Sequence, residues 1–478
     1  MPDPQRPAAA WPHRGRAAVA ESRAVVVGGS VAGLLTAAAL TEAFDEVVVL
    51  ERDVLPEGED FRAGVPQARQ FHGLLMRGAQ SIEKLLPGIL QELAADGAPL
   101  FDLGERFQLS VHGRVVPPRT FGLRAQLFTR NFLETRLRTR VRALPGVVFR
   151  ENSPVTGLLA DRTGGPVTGV RIAHGGDFAE ELPAADLVVD ASGRNSQATA
   201  WLGALGYPAP EELRVDSGRS YATAWVGAPQ ELGFTGALYE IGQHVTRGRG
   251  GLVAALQNQQ VLLMLYGRGS DRPPTDPDGF RERVDQLGSP VMSELAAHIS
   301  SNRPIHPYAK LINRRKLYHR MPRWPDRFLV LGDALCVFNP IYGQGMTVAA
   351  MQAETLRDSV RYLHHSADWT RTTQRRIHRR TTIPWLLATT QDSRWTERPS
   401  VLSPAVASLM ERVMSRVGQS PQLHRALLQI YQLLPPTALC DPRGVLAVCR
   451  PDQPRAARAW FRPGAAVRMS RRRAGIRR

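Results

Sequence analysis

The sequence predicts an α/β chain whose parallel sheet is assembled from distant segments, and three observations carry that reading. Residues 24–40, AVVVGGSVAGLLTAAAL, run from a β-branched apolar strand through glycines into a helix. Two blocks far downstream, DLVVDASGRNS at 186–196 and FLVLGDALCVFNPIYGQGM at 328–346, share its character. Each is a short apolar run fit for a strand buried on both faces, ending in small and polar residues fit for close approach to a ligand. The stretch 211–320 contains alternating segments such as VLLMLYG and predicts a second, β-rich domain. After 347 the pattern turns helical, most clearly in MTVAAMQAETLRDSVRYL and PAVASLMERVMSRV.

Taken in order, the first strand and helix are followed by a second strand in EVVVLERD. Residues 123–144 place Leu123, Leu127, Leu133, Leu137 and Val141 on a helical stripe. Residues 155–178 read as a hairpin, with GGPVTG at 164–169 and HGG at 174–176 as turns. No internal repeat is present.

Composition bounds the function classes. A chain of 478 residues has the length of roughly two or three domains. No apolar run approaches the roughly 20 residues of a membrane span, so a soluble protein with no integral membrane segment is expected. The opening, MPDPQRPAAAWPHRGRAAVAES, lacks the apolar stretch of a secretory signal, and residues 1–22 are read as a disordered extension. Cys336, Cys440 and Cys449 form neither an even disulfide framework nor a CxxC pair, which argues for a reducing, cytoplasmic setting and against structural zinc. His364 and His365 are adjacent on a helical pattern and point about 100° apart, so no metal is expected there. The net charge of +17 is carried almost wholly by arginine, and much of the excess lies in the closing stretch. That distribution reads as a solvated basic tail over 451–478, with no nucleic-acid partner.

The serine in the first glycine turn admits two readings. Gly28-Gly29-Ser30-Val31-Ala32 resembles the strained elbow that presents a nucleophilic serine in hydrolases. An elbow on the first strand, however, leaves nothing upstream to build the oxyanion loop, and the HGG stretch follows the serine instead of preceding it. The competing reading is a dinucleotide-binding turn. Gly28 makes the tight turn, and Gly33 permits close packing of helix on strand. Ser30 takes the middle position, where its small side chain admits a phosphate and its hydroxyl can donate to it. Glu51 then ends the second strand about 20 residues after the glycines, where an acid holds a ribose hydroxyl. An acid there favours FAD or NAD over NADP.

With these blocks together, the sequence from about residue 23 to 360 resembles the FAD-dependent aromatic hydroxylase and epoxidase family of flavoprotein monooxygenases. Gly332-Asp333-Ala334, Pro340 and Gly343-Gln344-Gly345 match that family's second FAD motif in residue type and spacing. The resemblance implies FAD as cofactor and a discontinuous Rossmann-like FAD-binding domain over 23–99, 124–210 and 321–365. A β-rich substrate domain over 100–123 and 211–320 and a helical C-terminal region over 366–450 complete the implied division. The resemblance assigns Gly28, Gly29, Ser30, Gly33 and Glu51 to the cofactor and makes Asp333 an acceptor for the ribityl chain. Pro340 to Met346 would lie along the isoalloxazine, with Gly343 and Gly345 letting amides at a helix start face its N1/O2 edge. Arg62 and Arg130 would stand near the pyrophosphate and Arg52 beside the adenine.

Two departures bear on the reductant. The family's Asp-Gly pair reads Ser192-Gly193 here, and Cys336 stands where many aromatic hydroxylases have histidine. No second glycine fingerprint for NADPH is present. NAD(P)H is therefore expected as the ultimate electron donor, with delivery through a separate flavin reductase as an alternative to direct reduction. A narrower resemblance, in GVPQARQFHGLL, ADLVVDASGRNS, VDSGRSYAT and NRRKLYHRMPRWPDRFLVLGDALCVFNPIYGQGM, is to the flavin epoxidases of polyether polyketide biosynthesis. It implies insertion of one oxygen atom from O2, through a flavin C4a-hydroperoxide, into a bulky apolar natural-product intermediate by olefin epoxidation. The alternatives are a flavin dehydrogenase or reductase of the same fold, an aromatic hydroxylase, and a FAD-fold binding protein without turnover. The WxWxIP signature of tryptophan halogenases is absent. No acid-base pair is evident, which suits an olefin, since a phenol hydroxylase would need a base. His72 and Tyr221 are candidates to line the substrate pocket, and no catalytic side chain is assigned.

Overall fold

The computed structural model describes residues 22–61, 69–70, 72–111, 114–174, 178–226, 236–241, 249–300, 303–309, 311–363, 366–393, 413–414 and 416–439. Arg62, His364, His365, Cys440, Cys449 and both terminal extensions lie outside these residues, as does most of the helix expected at PAVASLMERVMSRV. At the centre is a five-stranded parallel sheet in the order Phe328–Val330, Leu187–Asp190, Arg23–Val27, Glu46–Leu50, Val147–Arg150. Its inner strands are continuous β-branched runs because both faces are covered. Ala24 to Val27, Val47 to Leu50 and Leu187 to Asp190 are all buried.

Helix Val31–Leu40 packs against this sheet and against the helices Arg130–Arg142 and Gly345–Leu363. Enclosed on every side, it buries nine of its ten residues, which is why its sequence is apolar all round instead of striped. The helix of the 123–144 stripe is shorter than the stripe itself. It starts at Arg130 because Thr129 caps it, its hydroxyl accepting from the Phe132 amide at 3.1 Å. Leu123 and Leu127 fall outside it, and Arg124–Ala125 pairs with Phe101–Asp102 in a short ribbon. The Gly164-Gly165 turn joins the antiparallel strands Val155–Ala160 and Val167–His174.

A second sheet of seven strands runs in the order His306–Tyr308, Arg219–Val226, Val261–Arg268, Gly250–Ala255, Ala237–Ile241, Phe107–Val111, Arg114–Val115. Side chains alternate between its faces. Ala222, Ala224, Leu263 and Leu265 pack with Phe280, Val284 and Met292 of two helices, Pro277–Asp285 and Pro290–Ala297, so the β-rich stretch is not all β. Tyr221, Leu262, Met264 and Tyr266 face the other way and reach Tyr308 and Ile341. A three-stranded ribbon of Glu212–Asp216, Ile312–Lys316 and Cys336–Val337 ties this half to the parallel sheet. No helix among the described residues is long and apolar enough to cross a membrane.

Candidate cofactor site

A cleft of about 800 Å³ opens along the carboxyl ends of the parallel strands. Its walls follow from what stands after each strand: Gly28 and Ser30 after the first, Glu51 to Asp53 after the second, Ala191 to Arg194 after Leu187–Asp190, and Asp333 after Phe328–Val330. This is where ligands bind in open α/β sheets.

The first turn is built around backbone proximity. Gly28 has φ +103° and donates its amide to the Leu50 carbonyl at 2.7 Å, and a Cβ on it would lie 2.7 Å from the Ala191 oxygen. A Cβ on Gly33 would lie 1.7 Å from the Gly28 oxygen. Gly29 and Gly33 therefore shape the turn from behind without lining the cleft. Glu51 is buried, and its carboxylate accepts from the Gly29 amide at 2.7 Å and the Asp53 amide at 3.1 Å, which braces the turn against the second strand.

Ser30 differs from expectation. Its hydroxyl donates to Glu134 at 2.7 Å and accepts from Arg130 Nη2 at 2.8 Å, while Arg130 Nε lies 3.4 Å from the same Glu134 oxygen. A buried carboxylate within reach captures the hydroxyl proton, so in this structure the serine holds Arg130 in place and is not free to donate to a phosphate.

Across the cleft, Gly332 (φ +63°) turns the chain after Phe328–Val330, its amide donating to Gln352 at 2.7 Å. Asp333 follows on the wall. Desolvation raises its pKa, against the opposing charges of Arg194, Arg130 and Arg314, and no side chain among the described residues donates to its carboxylate. Pro340, Gly343, Gly345 and Met346 line the cleft where helix Gly345–Leu363 begins, and Gly343 has φ +63°. Beside them Gln344 Oε1 is buried with no hydrogen-bond partner among the described residues.

These features fit FAD. A glycine turn free of side chains, an acid at the second strand end, Arg130 at a helix start, the Asp333 carboxylate on the wall and the buried Gln344 amide oxygen are complementary to a pyrophosphate, a ribose, a polyol and a flavin.

His72 lines the cleft, and Arg52 stands at its mouth. His72 Nδ1 donates to the Gln70 carbonyl at 2.9 Å, and burial, with the charge of Arg130, lowers its pKa to about 3. Tyr221 does not reach the cleft. It stacks on Tyr308, centroids 5.4 Å apart, and Tyr308 is the ring on the wall. Sequence reasoning passed over Arg194, Gln344, Trp201 and Tyr308, all of which line the cleft. The first two lie inside motifs already singled out. Trp201 and Tyr308 carry no motif signal, and Tyr308 is brought in only by strand pairing with Tyr221.

The fold and the cleft are those of a dinucleotide-binding flavoprotein. Residues 21–360 match the family described as FAD binding domain, and the chain belongs to that family. It is 32% identical over 368 residues to the protein Rv3254 of Mycobacterium tuberculosis, covering 73% of this chain and 74% of that one. It is 29% identical over 362 residues to a kynurenine 3-monooxygenase of Salinispora arenicola, covering 68% and 70%. The flavin-dependent brominase Bmp2 superposes with a TM-score of 0.63 at 16% identity, over 89% of this chain and 96% of that one, a likeness of fold. The family match makes the chain a FAD-binding flavoprotein, and its relatives include a monooxygenase.

Proposed function

We propose that this chain is a FAD-dependent monooxygenase that transfers one oxygen atom of O2 to an olefin in a bulky apolar substrate, with water as the other product and NAD(P)H as the ultimate electron source. The observation that carries the olefin reading is the state of His72, the one histidine among the described residues that line the cleft. With Nδ1 donating to Gln70 and a pKa of about 3, it stays neutral and is too weak a base to deprotonate a phenol. An olefin needs no such base.

The residues then have binding and shielding roles. Gly28, Gly29, Ser30 and Gly33 shape the pyrophosphate turn and Arg130 supplies its charge, with Arg62 assigned there from sequence alone. Glu51 holds the adenosine ribose, Arg52 flanks the adenine, and Asp333 accepts from the ribityl chain. Pro340, Gly343, Gly345 and Met346 lie along the isoalloxazine. Bound and reduced, FAD supplies the activation of O2. The chain excludes water with the apolar face of the seven-stranded sheet, where Tyr221, Leu262, Met264 and Tyr266 are buried. The division into a FAD-binding domain of three segments, a β-rich substrate domain and a helical C-terminal region follows these roles, and a separate flavin reductase is the partner that suits the missing NADPH fingerprint.

The test is an incubation of FAD-loaded protein with NADH, a flavin reductase, ¹⁸O2 and a linear polyene probe. One ¹⁸O atom in an epoxide product, read by mass spectrometry, is expected. Reduction of the probe without ¹⁸O would move the chain to the dehydrogenase reading, and ¹⁸O only in phenolic products of aromatic probes would replace the olefin.

A further inference from the structure

Asp392 lies beyond the residues matched to the family, near the end of helix Thr382–Ser393, and is fully buried. Nothing local explains it. Aspartate is a weak helix former. Burying a carboxylate is also costly unless it is well hydrogen-bonded.

Its partners lie on the cofactor loop. Asp392 Oδ2 accepts from Asn339 Nδ2 at 2.9 Å and from Asn313 Nδ2 at 2.7 Å, and Oδ1 accepts from the Tyr342 hydroxyl at 2.6 Å. Asn313 Oδ1 in turn accepts the Asn339 amide at 2.8 Å, and Asn339 Oδ1 accepts the Ile341 amide at 3.2 Å. The guanidinium of Arg219 lies 4.0 Å away. One carboxylate thus grips both ends of the Pro340–Tyr342 turn and the strand beside it, immediately before Gly343 (φ +63°) and the start of helix Gly345–Leu363.

We propose that Asp392 is a positioning residue for the flavin: acting through Asn339, Tyr342 and Asn313, it fixes the loop that presents Pro340 to Met346 to the isoalloxazine, so the C-terminal helices complete a site whose recognisable motifs all lie upstream. The inference rests on the FAD reading above. It assigns Asp392 no contact with substrate or cofactor. The turn keeps its own Asn339 cap without the tether, but its orientation against the helix start is no longer fixed.

The experiment measures FAD affinity by flavin fluorescence, the visible circular dichroism of bound flavin, and melting temperature, for wild type, Asp392→Ala and Phe280→Leu. Phe280 is fully buried on the far face of the seven-stranded sheet and serves as a destabilised control. Asp392→Ala is expected to weaken FAD binding about tenfold or more and to change the flavin dichroism. Phe280→Leu should lower the melting temperature and leave both flavin readouts as in wild type. Tyr342→Phe removes one tether with little risk to folding. It should weaken FAD by about threefold alone and have no further effect in the Asp392→Ala background. If Asp392→Ala does not fold, Tyr342→Phe decides alone. FAD affinity and dichroism unchanged in the folded variants would overturn the proposal, whereas a wild type that binds no FAD would overturn the flavoprotein assignment itself.

Discussion

Replacing Gly33 by alanine sets two physical effects against each other. Within helix Val31–Leu40 alanine is the better helix former by about 1 kcal/mol, so local propensity alone forecasts stabilisation. The new Cβ, however, would stand 1.7 Å from the Gly28 carbonyl oxygen and 2.8 Å from its carbon. Both are backbone atoms of the turn that also ends the first strand, so no side chain can swing away. Relief requires the helix to withdraw by about 1.5–2 Å, against close packing on every side. Overpacking of this kind costs about 1–3 kcal/mol, and an immovable neighbour puts it at the upper end. Less the propensity gain, about 2 kcal/mol remains, and at about 2–4 °C per kcal/mol the net expectation is a melting temperature lower by about 4–8 °C. On the proposed function, the same withdrawal moves the amides that would face the pyrophosphate. Loss of one hydrogen bond to a charged group is worth about 1.5–3 kcal/mol, or about 10- to 100-fold in FAD affinity. Thermal unfolding of the apoprotein and a fluorescence titration with FAD read the two effects separately. A variant within about 1 °C and about twofold of wild type would refute the argument that this glycine exists to admit the helix onto the strand.

Three further outcomes follow from the site. Asp333→Asn should weaken FAD binding at least about tenfold yet raise the melting temperature of the apoprotein at pH 7. Burial raises the folded-state pKa of Asp333, so the ionised group destabilises the apo fold above that pKa, and the penalty fades as pH falls through it and is gone below about 3.8. A lower melting temperature at neutral pH would contradict this. Ser30→Gly leaves Arg130 within 3.4 Å of Glu134 and should change FAD affinity and turnover by less than about threefold, whereas loss of all activity would revive the nucleophile reading. Burial lowers His72 to about 3, His319 and His424 to about 4 and His378 to about 2, from an ordinary value of 6.5. The unfolded chain takes up protons below pH 6.5 that the folded one refuses. Stability should therefore be full above pH 6.5 and fall steadily toward pH 4, a slope that His378→Phe should flatten in melting curves recorded across that range.

The cofactor edge was legible because its chemistry is local. A glycine turn, an acid at the next strand end and a Gly-Asp followed by Pro and Gly-Gln-Gly are each written within a few consecutive residues, and each ends a strand whose double-sided burial leaves an unbroken apolar run. Ser30 shows the limit of such reading. Its place in the turn was plain, but Glu134, which captures its proton, comes from a helix about a hundred residues on, and no pattern near the serine announces it. The ribbon of Phe101–Asp102 and Arg124–Ala125 was unreadable for a related reason, since two-residue strands leave no periodicity to read.

The substrate face was hidden by its own burial. A strand with one wet face shows alternation, and the alternation says which side chains point where. Arg219–Val226 is covered on both faces, by helices on one and by the tyrosine cluster on the other, so its burial is nearly continuous and the period of two vanishes. Tyr221 was a candidate for the pocket because it lies in a stretch that resembles the family, but only the antiparallel register with His306–Tyr308 shows that its ring lies beneath Tyr308. The same concealment covers Asp392. An aspartate near the end of an ordinary helix carries no signal until the fold sets it beneath the turn at Asn339 and Tyr342. Cofactor identity, resting on backbone shape, is encoded in short runs of sequence, while substrate shape and loop orientation arise from packing between segments that the chain brings together only on folding.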